Sequence, residues 1–285
     1  MNLFDRTSYQ ISKRVTNNYS TSFSLGIKVL SKKYHDPIYA IYGFVRYADE
    51  IVDTFHDYDK KRLLKEFKAD TFKAIEDGIS LNPILQSFQL VVNEFNVAND
   101  LIEAFFHSME MDLEDIKYDD NKYNEYIYGS AEVVGLMCLY VFCDGDDLKY
   151  RELEYSARRL GAAFQKVNFL RDLKSDFKER GRVYFPGVDL NKFDAESKLY
   201  IENDIKKDFD EALDGIKNLP KGASIGVYLA YVYYLKLFSK IKSCSVSKIL
   251  DQRIRVPDLI KFRLLLITFM RYKLFNGKIE TSSLN

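Results

Sequence analysis

Tryptophan is absent from this chain, and cysteine, histidine and proline are scarce: three, three and five residues in 285. Cys138, Cys143 and Cys244 have no spacing of a zinc knuckle or a disulfide framework. His35, His56 and His107 are scattered, which argues against a histidine metal centre or a Ser-His-Asp triad. There is no excess of charge: 42 Lys plus Arg balance 42 Asp plus Glu. No bulk field therefore calls for nucleic acid, and any phosphate chemistry has to come from local clusters. Met1 to Arg14 is polar and lacks the apolar core of a signal peptide. The longest uncharged apolar stretch, Gly222 to Leu235, falls short of the ~20 residues a membrane span needs. The expectation is a soluble, reduced, cytoplasmic protein.

What is present is a normal globular balance, 47% apolar and 29% charged residues, which excludes wholesale disorder. With so few prolines and only 13 glycines, long stretches run without punctuation. From Asp147 to Arg180 the apolar positions Leu153, Ala157, Leu160, Ala163, Phe164, Val167, Leu170 and Leu173 recur at three- and four-residue steps, which predicts one long amphipathic helix. Similar patterns predict helices over Pro37–Phe55, Lys60–Asp77, Asn99–Asp112, Tyr123–Phe142, Asp204–Leu219, Ala223–Ile241 and Pro257–Leu274. Pro37, Pro83 and Pro257 sit near helix starts, and Arg182–Leu190 reads as a loop. No βαβ unit, repeat or linker is evident. The fold class is all-α, a single domain over 1–285 with helices packed around a central space.

Two helix faces are unusually acidic. Asp49 and Asp53 stand at i and i+4, roughly 6 Å apart along the axis, with Arg46 one turn earlier. Their neighbours Tyr42, Phe44, Ile51 and Val52 are those of a buried helix. Asn168, Asp172 and Asp176 form an i, i+4, i+8 stripe on the long helix, with Gln165 a turn above. Rows of side-chain oxygens facing a cavity suit a hard cation. Acidic pairs are also common on solvated faces, so a shared metal site and a solvated surface both stay open at this point.

Basic and hydroxyl groups keep these acids company. Arg171 abuts Asp172, and Arg182 and Tyr184 follow shortly after. Arginine is the residue suited to gripping an anion held by a metal, although a solvated helix end reads the same way. Ser20, Ser22 and Phe23 lie in a hydroxyl-rich run that is either a phosphate-binding segment or a plain helix cap. Gly129, Ser130, Ala131 and Gly135 cluster in Tyr126–Leu136, where another helix or a ligand chain can approach closely. Tyr and Phe number 21 each; most must be core, and a subset lining a cavity would stabilise a cation.

These segments together resemble the squalene/phytoene synthase family of head-to-head prenyl transferases, over nearly the whole length. Tyr19–Phe23 resembles its N-terminal Ser-x-Ser-Phe segment, and Arg46–Asp53 its first aspartate-rich motif. Met109–Leu113 resembles a helix end before the central motif, and Tyr126–Met137 its Tyr-x-Tyr-x-x-Ala-x-x-Val-Gly segment. Gln165-x-x-Asn168-x-x-Arg171-Asp172-x-x-x-Asp176 followed by Gly181–Pro186 resembles its second aspartate motif and flap, the most specific of the matches. The resemblance implies an isoprenoid-synthase helical bundle around an apolar cavity. It implies that Asp49, Asp53, Asn168, Asp172 and Asp176 hold two or three Mg²⁺ ions, with Mn²⁺ able to substitute. It further implies that Arg46, Arg171, Arg182, Tyr184, Ser20 and Ser22 grip diphosphate, with Phe23, Tyr42, Gln165 and Tyr126 also in the site. The expected activity is phytoene synthase, joining two geranylgeranyl diphosphates without NADPH in carotenoid biosynthesis. Squalene or dehydrosqualene synthase, a terpene cyclase and a non-catalytic helical assembly factor are the alternatives. Retention of all the motif aspartates argues against the last, and the Gln-Asn-Arg-Asp-Asp pattern against the cyclase. No nucleic-acid partner is expected; a weak peripheral contact with the inner face of a membrane is, because the product is insoluble in water. The sequence leaves the oligomeric state open. Two departures stand out. Lys174 and Ser175 fill a gap where an acidic residue is common. Glu132 replaces a glycine frequent in the family, and is expected to alter the tunnel wall or to pair with a neighbouring basic residue.

Overall fold

The structure, a computed structural model, describes residues 1–114, 118–178, 184–186 and 193–274. Every regular element among the described residues is a helix. In chain order these are α1 (Leu3–Tyr19), α2 (Thr21–Val29), α3 (Lys32–Asp53), α4 (Lys60–Asp77), α5 (Pro83–Phe95), α6 (Asn99–Met111) and α7 (Asp120–Ile127). A π turn (Tyr128–Glu132) then leads into α8 (Val133–Cys143), α9 (Asp147–Lys178), α10 (Ala195–Asn218), α11 (Lys221–Lys242), α12 (Val246–Asp251) and α13 (Asp258–Leu274).

Local signals set many of these boundaries. Asp59 caps α4 by accepting from the Arg62 amide at 3.0 Å, and Gly78, at φ 66°, ends it in the left-handed conformation open to glycine. Pro83 opens α5 at a position where a missing N–H costs nothing. Two expected starts move. α3 begins at Lys32, so Pro37 lies inside it; burial of Tyr34, edge-on to Phe142 at 5.3 Å, extends the helix past the proline. α10 begins at Ala195, where Asp194 caps the Ser197 amide at 2.8 Å ahead of a polar first turn that carries no apolar period. The helix expected over Tyr123–Phe142 is interrupted by the π turn. Most of the expected 182–190 loop lies outside the described residues; Tyr184–Pro186 is non-helical, and Tyr184 and Phe185 are buried.

Two apolar cores flank a central cavity. Helices α1, α3–α6 and α8 bury one, centred on Phe44, which stacks on Phe88 at 3.8 Å and meets Phe67, Phe105 and Phe106. Helices α9–α12 bury the other, around Phe209, Tyr231 and Phe238. Counting the π turn as helical, the run Asp120–Cys143 is long and apolar enough to cross a membrane, contrary to the expectation from uncharged stretches; 61% of its most apolar 18-residue window is buried inside the protein, as a core helix would be.

Candidate active site

The cavity has a volume of about 590 Å³. α3 lines it with Ile38, Ile41, Tyr42, Val45, Arg46, Asp49, Val52 and Asp53. α9 lines it with Leu153, Ser156, Ala157, Leu160, Gly161, Phe164, Gln165, Asn168, Phe169, Arg171 and Asp172. Each helix therefore passes from apolar or small residues to charged ones, over roughly 22 Å of α3 and 28 Å of α9. The two gradients run the same way. The Tyr34–Phe142 contact joins the start of α3 to the end of α8, just before α9 begins. At the other end Asp49 feels the charge of Asp112, and Asp112 accepts from Tyr126, whose ring lies 5.9 Å from that of Phe169. One end of the cavity is thus apolar and the other charged.

At the charged end, burial pushes the Asp49 carboxyl up to about 7; Arg46 opposes the shift, and the carboxylates of Asp53, Asp112 and Glu50 add to it. Arg46 reaches Glu50 at 2.6 Å and Asp49 at 3.7 Å and lies over the Tyr19 ring, 4.5 Å from its centroid. Its Nε is buried without a partner. On α9, Arg171 pairs with Asp172 at 2.5 Å, and Arg253 reaches the same carboxylate at 2.7 Å. Tyr234 donates to Asn168 Oδ1 at 3.3 Å and stacks on Phe164 at 4.0 Å. Tyr126 donates to Asp112 Oδ2 at 2.8 Å, and Tyr184 donates to its other oxygen at 3.4 Å. Burial, and then Asp112, keep the Tyr126 hydroxyl protonated well above the usual phenol range. Tyr184 and Phe169 stack at 4.1 Å, 5° from parallel.

Of the residues singled out in the sequence, Ser20, Phe23, Tyr42, Arg46, Asp49, Asp53, Tyr126, Gln165, Asn168, Arg171, Asp172 and Tyr184 all line this one cavity. Ser20 is also the cap of α2, accepting from the Phe23 amide at 3.2 Å, so the helix-cap reading holds for a residue that also lines the cavity. Ser22 sits in the first turn of α2 and is not among the lining residues. Arg182 lies outside the described residues, as does the side chain of Asp176. Asp112, Tyr234 and Arg253 line the cavity too, without a sequence signal that marks them as site residues. Asp112 is legible only as a helix end, and Arg253 stands in a short polar run with no period to mark it.

The donor set suits a divalent cation shared with an anion. Among the described residues no three acidic, histidine or cysteine side chains converge into a ready-made cage. Instead, carboxylates from two helices line the same cavity end, one of them destabilised by burial, beside a buried guanidinium N–H with no acceptor. Mg²⁺ commonly takes one or two carboxylates and completes its shell with water and phosphate oxygens.

Residues 16–259 match the squalene/phytoene synthase family. The chain is 27% identical to 15-cis-phytoene synthase of Synechocystis, over 93% of this chain and 85% of that protein. It is 27% identical to 4,4'-diapophytoene synthase of Staphylococcus haemolyticus, over 69% of this chain and 68% of that one. With the chloroplastic phytoene synthase 1 of Solanum lycopersicum the identity is also 27%, over 83% of this chain and 61% of the relative. Among solved structures, a dehydrosqualene synthase superposes with a TM-score of 0.80 at 19% identity, covering 95% of this chain and 98% of the other. The squalene synthase HpnC of Alicyclobacillus acidocaldarius gives 0.73 at 19% identity, covering 85% and 95%. These likenesses carry the fold, the all-α isoprenoid-synthase type. The chain belongs to the squalene/phytoene synthase family. Within that family, whose members act on prenyl diphosphates, it is a prenyltransferase enzyme.

Proposed function

We propose that the chain is a phytoene synthase, which condenses two geranylgeranyl diphosphates head to head through a cyclopropylcarbinyl diphosphate, in a Mg²⁺-dependent reaction of carotenoid biosynthesis. The observation that carries this reading is the graded cavity: apolar along α3 and α9 at one end, acidic and arginine-rich at the other. Such a space accepts a molecule with a diphosphate head and a long apolar tail. The choice of C20 over C15 rests on the two phytoene synthases among the relatives, one matching 93% of the chain.

Asp49, Asp53, Asn168, Asp172 and Asp176 would hold the metal ions, which when bound stabilise the departing diphosphate. Arg46 offers its spare buried Nε–H, and Arg171 and Arg253, now spent on Asp172, turn to phosphate oxygens. Asp112 fixes the Tyr126 and Tyr184 rings over Phe169 by its two hydrogen bonds, placing aromatic faces beside the charged end. With Phe23, Tyr42, Phe164 and Tyr234 these faces stabilise an allylic cation by their quadrupoles. The apolar remainder of the wall keeps water from the cation. The first substrate ionises, the double bond of the second attacks, and a proton is lost; the cyclopropyl intermediate ionises in turn, rearranges and loses a proton.

A second reading, dehydrosqualene synthase using farnesyl diphosphate, is favoured by the diapophytoene synthase relative and by the dehydrosqualene synthase structure. The test is incubation of the purified protein with Mg²⁺ and each of the C15 and C20 diphosphates, with and without NADPH, followed by mass and ultraviolet spectra of the hydrocarbon. The expected result is a C40 product with a conjugated triene from the C20 substrate, formed equally well without NADPH. Product from the C15 substrate alone would replace this reading by the second.

A further inference from the structure

The catalytic reading leaves unused a charged cluster built on the buried Glu132, Lys166 and Asp208. Glu132, the last residue of the π turn, has a side chain only 5% exposed. Its two carboxylate oxygens take separate partners on α9: Arg158 Nε at 2.6 Å and Arg159 Nη2 at 2.7 Å. Arg159 continues to Asp208 on α10 at 3.1 Å, and Lys166 joins Asp208 at 2.7 Å and Asp204 at 2.6 Å. Three acids and three bases thus tie the π turn, α9 and α10 together. Buried ion pairs of this kind add little net stability over an apolar core, and their best-attested use is to fix one arrangement among alternatives.

The arrangement fixed here is a cavity wall. A π turn carries one residue more per turn than an α-helix and often marks a functional position. The Val133 amide bonds back to the Tyr128 carbonyl, and the swollen turn lines the cavity with Ser130 and Ala131. The turn is wedged on both sides. A Cβ on Gly129 would stand 2.4 Å from the Ala104 carbonyl oxygen of α6, and one on Gly161 of α9 would stand 2.6 Å from that of Ala131. Gly161, Ala157 and Leu160 line the same stretch of cavity from α9, so the Ala131–Gly161 seam is part of its bore. The pairs of Glu132 with Arg158 and Arg159 link the turn to α9 beside this seam.

We propose that Glu132 is a specificity-determining positioning residue: by engaging Arg158 and Arg159 it pins the π turn on α9, sets the calibre of the cavity midway along its length, and so sets which prenyl chain the cavity prefers. This rests on the reading that the cavity holds prenyl chains. The test is calorimetric binding of inert C15 and C20 thiolodiphosphates with Mg²⁺ to wild type, Glu132→Gln and Glu132→Ala. Inorganic diphosphate, which occupies the charged end alone, is the control. Loss of the clamp lets the seam part. Glu132→Ala is therefore expected to raise the C20-to-C15 affinity ratio at least fivefold, and Glu132→Gln, which keeps a hydrogen-bonding oxygen, by less. The affinity for inorganic diphosphate should stay within twofold. A merely structural role would weaken both chains alike and leave the ratio unchanged, and that result overturns the proposal. Should Glu132→Ala fail to fold, Arg158→Gln, at a side chain 37% exposed, puts the same ratio to the test. Wild type that binds neither chain would defeat the proposed function itself; wild type that binds both, with variants of unaltered ratio, defeats only the role of Glu132.

Discussion

Replacing Asp49 by Asn removes a carboxylate charge while keeping the side chain's shape, and it should stabilise the metal-free protein in a pH-dependent way. In the fold the Asp49 carboxyl is held at about 7 against an ordinary 3.8, so ionising it costs up to ~4 kcal/mol of stability. The side chain is 32% accessible through the cavity, and water there screens the charge, which reduces the cost to ~1–2 kcal/mol. The raised value fixes the sign. Well below pH 3.8 both folded and unfolded carboxyls are protonated and the variant gains nothing. Between pH 4 and 7 the unfolded chain releases the proton while the folded one keeps it, so wild-type stability falls; above 7 the loss is complete. The assay is thermal melting of wild type and Asp49→Asn in chelator at pH 4, 6 and 8. The expected gain is slight at pH 4 and about 2–3 °C at pH 8. Saturating Mg²⁺ with diphosphate should reverse the order at pH 8, because wild type then binds the ion better. A variant no more stable than wild type at pH 8 in chelator would refute the reasoning that this acid is buried at a cost.

Asp53→Ala, Asp172→Ala and Asp176→Ala should each lower turnover by more than ~100-fold, about 2.7 kcal/mol of transition-state stabilisation, with circular dichroism unchanged; turnover near wild type removes that residue from the metal set. Arg253→Met should raise KM for the diphosphate substrate at least tenfold in steady-state kinetics, since it takes away one of the two arginines on Asp172; an unchanged KM would assign Arg253 to charge balance alone. Gly129→Ala should destabilise the fold by about 1–3 kcal/mol in urea titration, because its Cβ would press on the Ala104 carbonyl oxygen, a backbone atom that cannot swing aside.

The legible parts of the molecule were those where local chemistry and tertiary structure agree. α4 runs over the residues expected, Lys60–Asp77, because a capping aspartate and a left-handed glycine bracket an amphipathic run. α9 starts at the expected Asp147 and follows its uninterrupted period through Lys178, where the described residues of that segment end. α3 starts five residues before Pro37, which reads locally as a helix start, and only the burial of Tyr34 carries the helix further back. The π turn has no sequence period of its own; it comes from the close packing of Gly129 on α6 and of Gly161 on Ala131. Within the site, the i, i+4 acids announced themselves, whereas Arg253 and Asp112 did not. Their function comes from being brought to Asp172 and to Tyr126 by elements distant in sequence. Glu132 stood out as a departure from the family pattern, and its expected basic partners proved to be two arginines a turn of cavity wall away.

The central claim is that Mg²⁺ and diphosphate share one cradle at the charged end of the cavity, and calorimetric titration of each in the absence and presence of the other tests it most directly. If the carboxylates of α3 and α9 and the arginines beside them form a single site, each ligand supplies charge the other requires. Saturating Mg²⁺ should then tighten an inert prenyl diphosphate at least tenfold, and the diphosphate should tighten Mg²⁺ by the same factor, as linkage demands. Affinities that do not depend on the other ligand would contradict the account.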